Sequence, residues 1–402
     1  MYFHHLHFYV QDTNIWKEWF SQKLSFSLSL ENPFLASSKS LEHRSTCSYQ
    51  VLRQGNIEIR LSSPVQTSPV QTSPVQTSNV ERARQQSCLV ERYLQQHPPG
   101  LVDIALATEK FDSVLRQALD KGATLLKPVT YDTAGQRHCQ ISGWAHLQHT
   151  LVEVSSQWVS AQNRTRLSHS ILSMASERTP NRLSVPKLFD IDHVVINVPR
   201  GELQAAAAWY QKVFGMLLGQ QFDIQTTRSG LHSQVLVHPD GPLQLPINEP
   251  SSSNSQIQEF LHHNCGVGVQ HVALRSGDAV DAIAHFRQQG LDLLDVPSTY
   301  YDSLHQRRDC PIKDFSAISR QKLLIDWPKG GQQGLLLQTF TQPIFDEPTF
   351  FFEIIERRSY VEDGQRKAVK GFGEGNFQAL FEAIERSQLE RSPTRQTPDA
   401  KV

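Results

Sequence analysis

Two histidines and one glutamate stand out as residues that could do chemistry together. His193 lies in Asp192-His193-Val194 and His271 in Gln270-His271-Val272, each at the second position of a short apolar strand-like run. Glu353 is a lone carboxylate in TFFFEIIER, between Phe350, Phe351, Phe352 and Ile354, Ile355. A carboxylate in so apolar a strand is costly unless it is paired, hydrogen-bonded or bound to a metal. Two imidazoles and one carboxylate with open positions are the facial triad of non-haem Fe(II) oxygenases, where substrate and O2 bind side by side. The bland alternatives are two satisfied core histidines and an ion pair from Glu353 to Arg357 or Arg358.

A set of uncharged polar residues falls in strand-like segments of the same half: Ser233, Asn248, Gln256, Gln270 and Gln338. Phe340, Phe351, Phe372 and Phe377 accompany them. Amides and hydroxyls beside aromatic faces suit a flat, phenolic, hydrogen-bonding ligand. GFGEGNFQALFEAIERSQLER (371–391) reads as a glycine-rich turn, with Gly371, Gly373 and Gly375, before an amphipathic helix that is either a lid or a packing element. It is not a nucleotide loop, because the alternating glycines and the missing downstream acid do not fit that geometry.

The elements that must position these residues repeat four times. Residues 3–30, 101–127, 191–219 and 269–294 each open on an apolar strand, continue as about a dozen residues of helical period, and pass a Gly or Ser into another strand. Leu203, Ala207, Tyr210 and Phe214 fall on one helix face. Further strand pairs follow, one with a Pro-Asp-Gly turn at 239–241. The unit is βαβββ. One such curled sheet cannot bury its concave face alone, so two units pair into a domain and two domains result. The expected fold is α+β, two open β-barrels of paired βαβββ units with a C-terminal lid helix. In the first barrel, His5 and Asp103 take the register positions of His193 and His271, and Glu153 mirrors Glu353, as the remains of a metal site.

The expected boundaries are a first domain over 1–158, a linker over 159–186, a second domain over 187–391 and a tail over 392–402. Residues 64–78 are three copies of PVQTS, an exposed loop insertion. The 402 residues make two or three domains the natural division at roughly 150 residues per domain. A net charge of −1 gives no sign of nucleic-acid or anionic-membrane binding, and no apolar run is long enough to span a bilayer. The start Met-Tyr-Phe-His-His lacks a secretory pattern. Five scattered cysteines without a CxxC pair argue against a disulfide framework or a thiolate zinc site, and suit the cytoplasm.

The segments FDIDHVVINV (189–198), PLQLPINEP (242–250), SQIQEFLHHNCGVGVQHVAL (255–274), VPSTYYDSL (296–304), GLLLQTFT (334–341), FFEIIER (351–357) and GFGEGNFQALFEAIERSQLER resemble the 4-hydroxyphenylpyruvate dioxygenase family of the vicinal-oxygen-chelate superfamily. HLHFYV, SYQVLRQGNIEIRLSSP, GLVDIALA and HTLVE extend the resemblance, more weakly, into the first half. The resemblance implies that His193, His271 and Glu353 hold Fe(2+). It implies that Phe340 and Phe377 clamp the substrate ring, and that Ser233, Asn248, Gln256 and Gln270 form a polar network at the phenol end. Gln338 would lie close to the iron, with Pro246, Phe351, Phe372, Gly373 and Asn376 in the pocket wall and lid. The implied reaction turns 4-hydroxyphenylpyruvate and O2 into homogentisate and CO2. The resemblance also implies a homo-oligomer, dimer or tetramer, and a first domain without metal. Thr339 departs from the aliphatic residue usual beside the clamp, and the PVQTS insertion has no counterpart. The competing readings are 4-hydroxymandelate synthase, with the same site but benzylic hydroxylation, and a metal-free small-molecule-binding protein on the same fold.

Overall fold

The structure is a computed structural model that describes residues 1–29, 47–65, 89–132, 135–172, 187–226, 228–305, 310–312, 314–327, 334–362, 365–367, 369, 371, 373, 376, 381, 383–386 and 388. The PVQTS repeats beyond Val65 and the tail over 392–402 lie outside these residues, as do Phe372 and Phe377.

The four units expected from the sequence are present. The first comprises β1 (Tyr2–Tyr9), α1 (Thr13–Leu24), β2 (Ser27–Leu28), β3 (Cys47–Gln54) and β4 (Ile57–Pro64). After α2 (Leu89–Leu94), the second runs through β5 (Gly100–Thr108), α3 (Phe111–Asp120), β6 (Leu125–Tyr131), β7 (Arg137–Ser142) and β8 (Gln148–Glu153). Helix α4 (Ser156–Leu172) follows. The third is β9 (Asp190–Asn197), α5 (Leu203–Phe214), β10 (Leu217–Gln225), β11 (Gly230–Val237) and β12 (Gln244–Pro250). After α6 (Gln256–His263) comes the fourth: β13 (Gly268–Arg275), α7 (Ala279–Gln288), β14 (Leu324–Asp326), β15 (Leu335–Phe340) and β16 (Phe351–Arg358). Helices α8 (Ser298–His305) and α9 (Ser316–Arg320) are inserted before β14.

Each half is one eight-stranded mixed sheet, in the orders β2-β3-β4-β1-β5-β8-β7-β6 and β10-β11-β12-β9-β13-β16-β15-β14. Two units meet at a central antiparallel pair, β1 with β5 and β9 with β13. Within a unit the helical crossover makes the first and last strands parallel neighbours, as in β13 with β16. The architecture is therefore the expected α+β one. The predicted face of α5 is the buried one: Leu203, Ala207, Tyr210 and Phe214 are all core residues.

Strand β16 is buried on both faces, which accounts for its unbroken apolar run. Phe350 and Phe352 pack on first-half aromatics, with ring centroids 5.1 Å from Phe350 to Phe8 and 5.9 Å from Phe352 to Phe20. Phe351 and Glu353 alternate to the opposite face. The first half thus buttresses the strand that carries Glu353.

Helix α4 runs through Leu172 into the stretch read as a linker, and Trp158, just ahead of that stretch, meets Tyr2 edge-on at 5.9 Å and stacks on His4 at 5.8 Å. One expectation needs revision. The cysteines are not all reduced. Cys139, Cys265 and Cys310 are free, but Cys47 is disulfide-bonded. Cys47 opens β3 and, like Tyr93 and Leu94 of α2, packs on the cluster of Tyr9, Val90 and Val102, a proximity that scattered spacing does not reveal.

Candidate metal centre and ligand pocket

A β-bulge precedes each candidate histidine. In the β9–β13 ladder, His193 faces Ala273 and His271 faces Val195, while Asp192 and Gln270 are the extra residues on their strands. The two imidazoles are therefore diagonal neighbours rather than directly opposed, with ring centroids 5.7 Å apart. Bulges re-aim side chains and recur beside functional sites. On the other side of β13, Ala273 pairs with Glu353. His193, Ala273 and Glu353 thus form a row across three strands, and the small alanine leaves room between the two ligating types.

Glu353 Oε2 lies 3.3 Å from His193 Nε2 and 3.6 Å from His271 Nε2, and all three side chains are buried. The donor atoms lie within 4.8 Å of one another, an N2O set that fits a divalent transition metal. Burial opposes charge on both His193 and Glu353, yet their attraction prevails. Glu353, helped by Asp192, raises His193 to about 9, and the imidazoles lower Glu353 to about 2. His271 is lowered, chiefly by burial.

The ligand atoms are held from behind. His193 Nδ1 lies 2.9 Å from Asp192 Oδ1, so Nε2 faces the cavity. Arg357 donates to both Asp192 oxygens at 2.8 Å, and through Nη1 to the Gly371 carbonyl at 2.6 Å. Gln338 Nε2 donates to Glu353 Oε1 at 2.8 Å, and Asn376 Nδ2 donates to Gln338 Oε1 at 2.7 Å. A Cβ on Gly373, whose φ is +73°, would fall 2.2 Å from that Gln338 oxygen, so glycine is required there on two counts. Asn376 therefore reaches Glu353 through one side chain, Gln338, and Gly371 reaches His193 through two, Arg357 and Asp192. Phe381 is fully buried against Leu231, Ile257 and Phe260, and Glu385 accepts from Thr226 Oγ1 at 2.9 Å and from Ser229. The C-terminal helical residues are packed down on the second sheet.

Among the described residues, Phe340, Phe351, Pro246, Ser233 and Asn248 share the triad's face of the second sheet. Phe351 stacks on His271 at 4.8 Å, and Phe340 is 6.2 Å from Phe351. Pro246 pairs with Val235 one step further, and Ser233 pairs with Asn248 beyond it. Gln256 and Gln270 line a small recess with Phe351, and the Gln270 amide oxygen lies 3.4 Å from His271 Nδ1. A cavity of about 250 Å³ opens beside Thr339 and Phe340 toward Tyr300, Ala383 and Arg386.

Asn197 was missed. It pairs with Asn248 and stands four residues past His193 on β9, a same-face spacing that alternation alone would have flagged. Asn197 Nδ2, Ser233 Oγ, Asn248 Oδ1 and Gln256 Oε1 are buried with no hydrogen-bond partner among the described residues, although Asn248 Nδ2 reaches Asn197 Oδ1 at 3.4 Å. Orphaned buried polar atoms are rare in native folds and mark sites completed by a ligand or water.

The first sheet repeats the geometry only in part. His5 and Asp103 do occupy the counterpart positions, since His5 faces Ala105 and Asp103 faces His7. Glu153 does not mirror Glu353. Asp103 pairs with Gln148, so the position two residues on is Thr150, while Glu153 is bound to Arg137 at 2.7 Å. Asp103 is itself satisfied by Thr150 N, Thr150 Oγ1 and Gln140 Nε2 at 2.8, 2.5 and 2.8 Å.

Residues 190–314 match the Glyoxalase/Bleomycin resistance protein/Dioxygenase superfamily. The chain is 33% identical over 354 residues to the 4-hydroxyphenylpyruvate dioxygenase of Neurospora crassa, covering 84% of this chain and 81% of that protein. It is equally similar, 33% over 297 residues, to an uncharacterized protein of Synechocystis, covering 73% of this chain and 79% of the relative. A triple mutant of 4-hydroxymandelate synthase from Streptomyces coelicolor has the same fold, with a TM-score of 0.71, 23% identity and coverage of 96% and 98% of the two chains.

Proposed function

Because the chain belongs to the 4-hydroxyphenylpyruvate dioxygenase family, we propose that it converts 4-hydroxyphenylpyruvate and O2 to homogentisate and CO2, with Fe(II) held by His193, His271 and Glu353. Bound there, Fe(II) would supply the open coordination positions at which a 2-oxo acid and O2 react.

The chain's own residues bind and aim. What supports the reading most directly is the orphaned polar row of Ser233, Asn248 and Asn197, on the same face as the triad. Four residues of strand separate Asn197 from His193, roughly 13 Å at 3.3 Å per residue. That span suits a substrate with a 2-oxo acid at one end and a phenol at the other. The phenol hydroxyl would satisfy the orphaned atoms. The ring would lie between, against Phe351 and Phe340, with Phe377 closing the clamp as the family resemblance implies. Gln338, fixed by Glu353 and Asn376, would line the end near the metal and help to exclude water.

The test is O2 uptake by iron-loaded protein. Consumption that depends on 4-hydroxyphenylpyruvate and disappears in Glu353→Gln is expected. Normal uptake by that variant would overturn the ligand assignment.

A further inference from the structure

We propose that the concave face of the first sheet holds a second divalent-cation site, built from His4, His5 and Glu58 and suited to a borderline ion such as Zn2+ or Co2+. The site follows from the bulge that the two sheets share. Phe3 faces Leu106 and His5 faces Ala105, so His4 is the extra residue, the counterpart of Asp192. In the second sheet this places an aspartate oxygen against His193 Nδ1; in the first it places a second imidazole there. His4 Nδ1 and His5 Nδ1 are 2.9 Å apart.

That separation is a hydrogen bond when one ring carries a proton. It is also close to the spacing of adjacent ligands around one ion, about 2.9 Å at right angles and about 3.3 Å at the tetrahedral angle for metal–nitrogen bonds of about 2.05 Å. An ion can replace the shared proton with little movement of either ring. Glu58 completes the set, with the three donor atoms within 4.8 Å of one another. His5 and Glu58 are buried and His4 is half-buried beneath Trp158.

The surroundings keep the donors ready. Glu58 accepts from Arg60 Nε at 2.7 Å and from Arg53 Nε at 2.9 Å. Two carboxylate oxygens offer about four lone-pair directions, so these bonds orient the group and leave it a ligand direction. The open side of the cluster is a cavity of about 230 Å³ lined by His4, His5, Arg60, His138 and Thr150, with room for waters to complete the coordination. Asp103 and Thr150, bonded to each other, contribute no ligand, so the site shifts from the central strands toward β4. Imidazole and carboxylate donors accept several divalent first-row ions, Zn2+ and Co2+ among them.

The test is a Co2+ titration of the full-length protein after chelator treatment, read by visible absorbance and bound cobalt. Two ions per chain are expected for wild type. One should remain in the double variant His193→Ala, His271→Ala, and one in His4→Ala. Iron-loaded His4→Ala should turn over within twofold of wild type, because its remaining site is the His193, His271 and Glu353 set. Glu58→Gln, closer in shape, should weaken the first-sheet ion at least tenfold and guards against misfolding of His4→Ala. Binding of a single ion that is lost in the double variant would overturn the proposal, as would two ions in His4→Ala. Two ions retained in the double variant would instead contradict the His193 and His271 assignment.

Discussion

Arg357 grips Asp192 through Nε and Nη2 at 2.8 Å each, with both side chains buried. Because Asp192 lies 2.9 Å from His193 Nδ1, this fork sets the direction of a candidate metal ligand from two residues away. Lysine preserves the charge but not the planar two-point grip. Arg357→Lys should weaken metal binding by about 10- to 100-fold, the usual cost of losing such an outer partner. Metal-affinity measurements check this, with a melting temperature close to wild type as the control.

Gly373→Ala tests the coupling at the other ligand. The added methyl would collide with Gln338 Oε1 at a left-handed backbone position, breaking the Asn376–Gln338 contact. Turnover should fall at least tenfold while metal content stays near wild type, since Glu353 still has both imidazoles. Unchanged steady-state kinetics would contradict the role given to Gln338.

The buttress beneath β16 has a stability consequence. Phe8→Ala and Phe352→Ala each open a cavity between the halves and should each cost about 3–5 kcal/mol in denaturant unfolding. Phe8 lies in the first half, so a loss of metal affinity in Phe8→Ala would show that the first half holds the second half's site in shape.

Acid should loosen the same junction. His149 is buried, with Nδ1 3.0 Å from the Ile104 carbonyl and Nε2 3.1 Å from the Tyr210 hydroxyl of α5. Burial lowers its pKa below 6.5 and lowers that of His146 to about 4. Folded values below the unfolded one mean that this stability is present above about pH 6.5 and is lost as the pH falls through the folded values. Unfolding midpoints should drop between pH 6.5 and 4, and His149→Gln should flatten that slope.

Much of this was legible from residue types and periods. Four βαβββ repeats, the buried face of α5 and the gathering of His193, His271 and Glu353 all follow from alternation and register. What escaped depends on details that periodicity does not carry. The bulges at Asp192 and Gln270 make the histidines diagonal rather than opposed, and the first-sheet register puts Thr150, not Glu153, at the place of Glu353. The bland alternative of an Arg357–Glu353 pair gives way to an Arg357–Asp192 pair, because Glu353 lies four residues back along β16 while the β9 bulge brings Asp192 within reach. Asn197 is the exception: alternation from His193 puts it on the same face, but it ends an otherwise apolar run and so reads as a strand end.

The central claim is tested most directly by identifying the aromatic product of 4-hydroxyphenylpyruvate, O2, Fe(II) and ascorbate with the purified protein. Homogentisate is the expected product, with the phenol anchored at Ser233, Asn248 and Asn197 and the oxidant directed at the ring. 4-Hydroxymandelate, or no product from protein with verified iron content, would contradict the account.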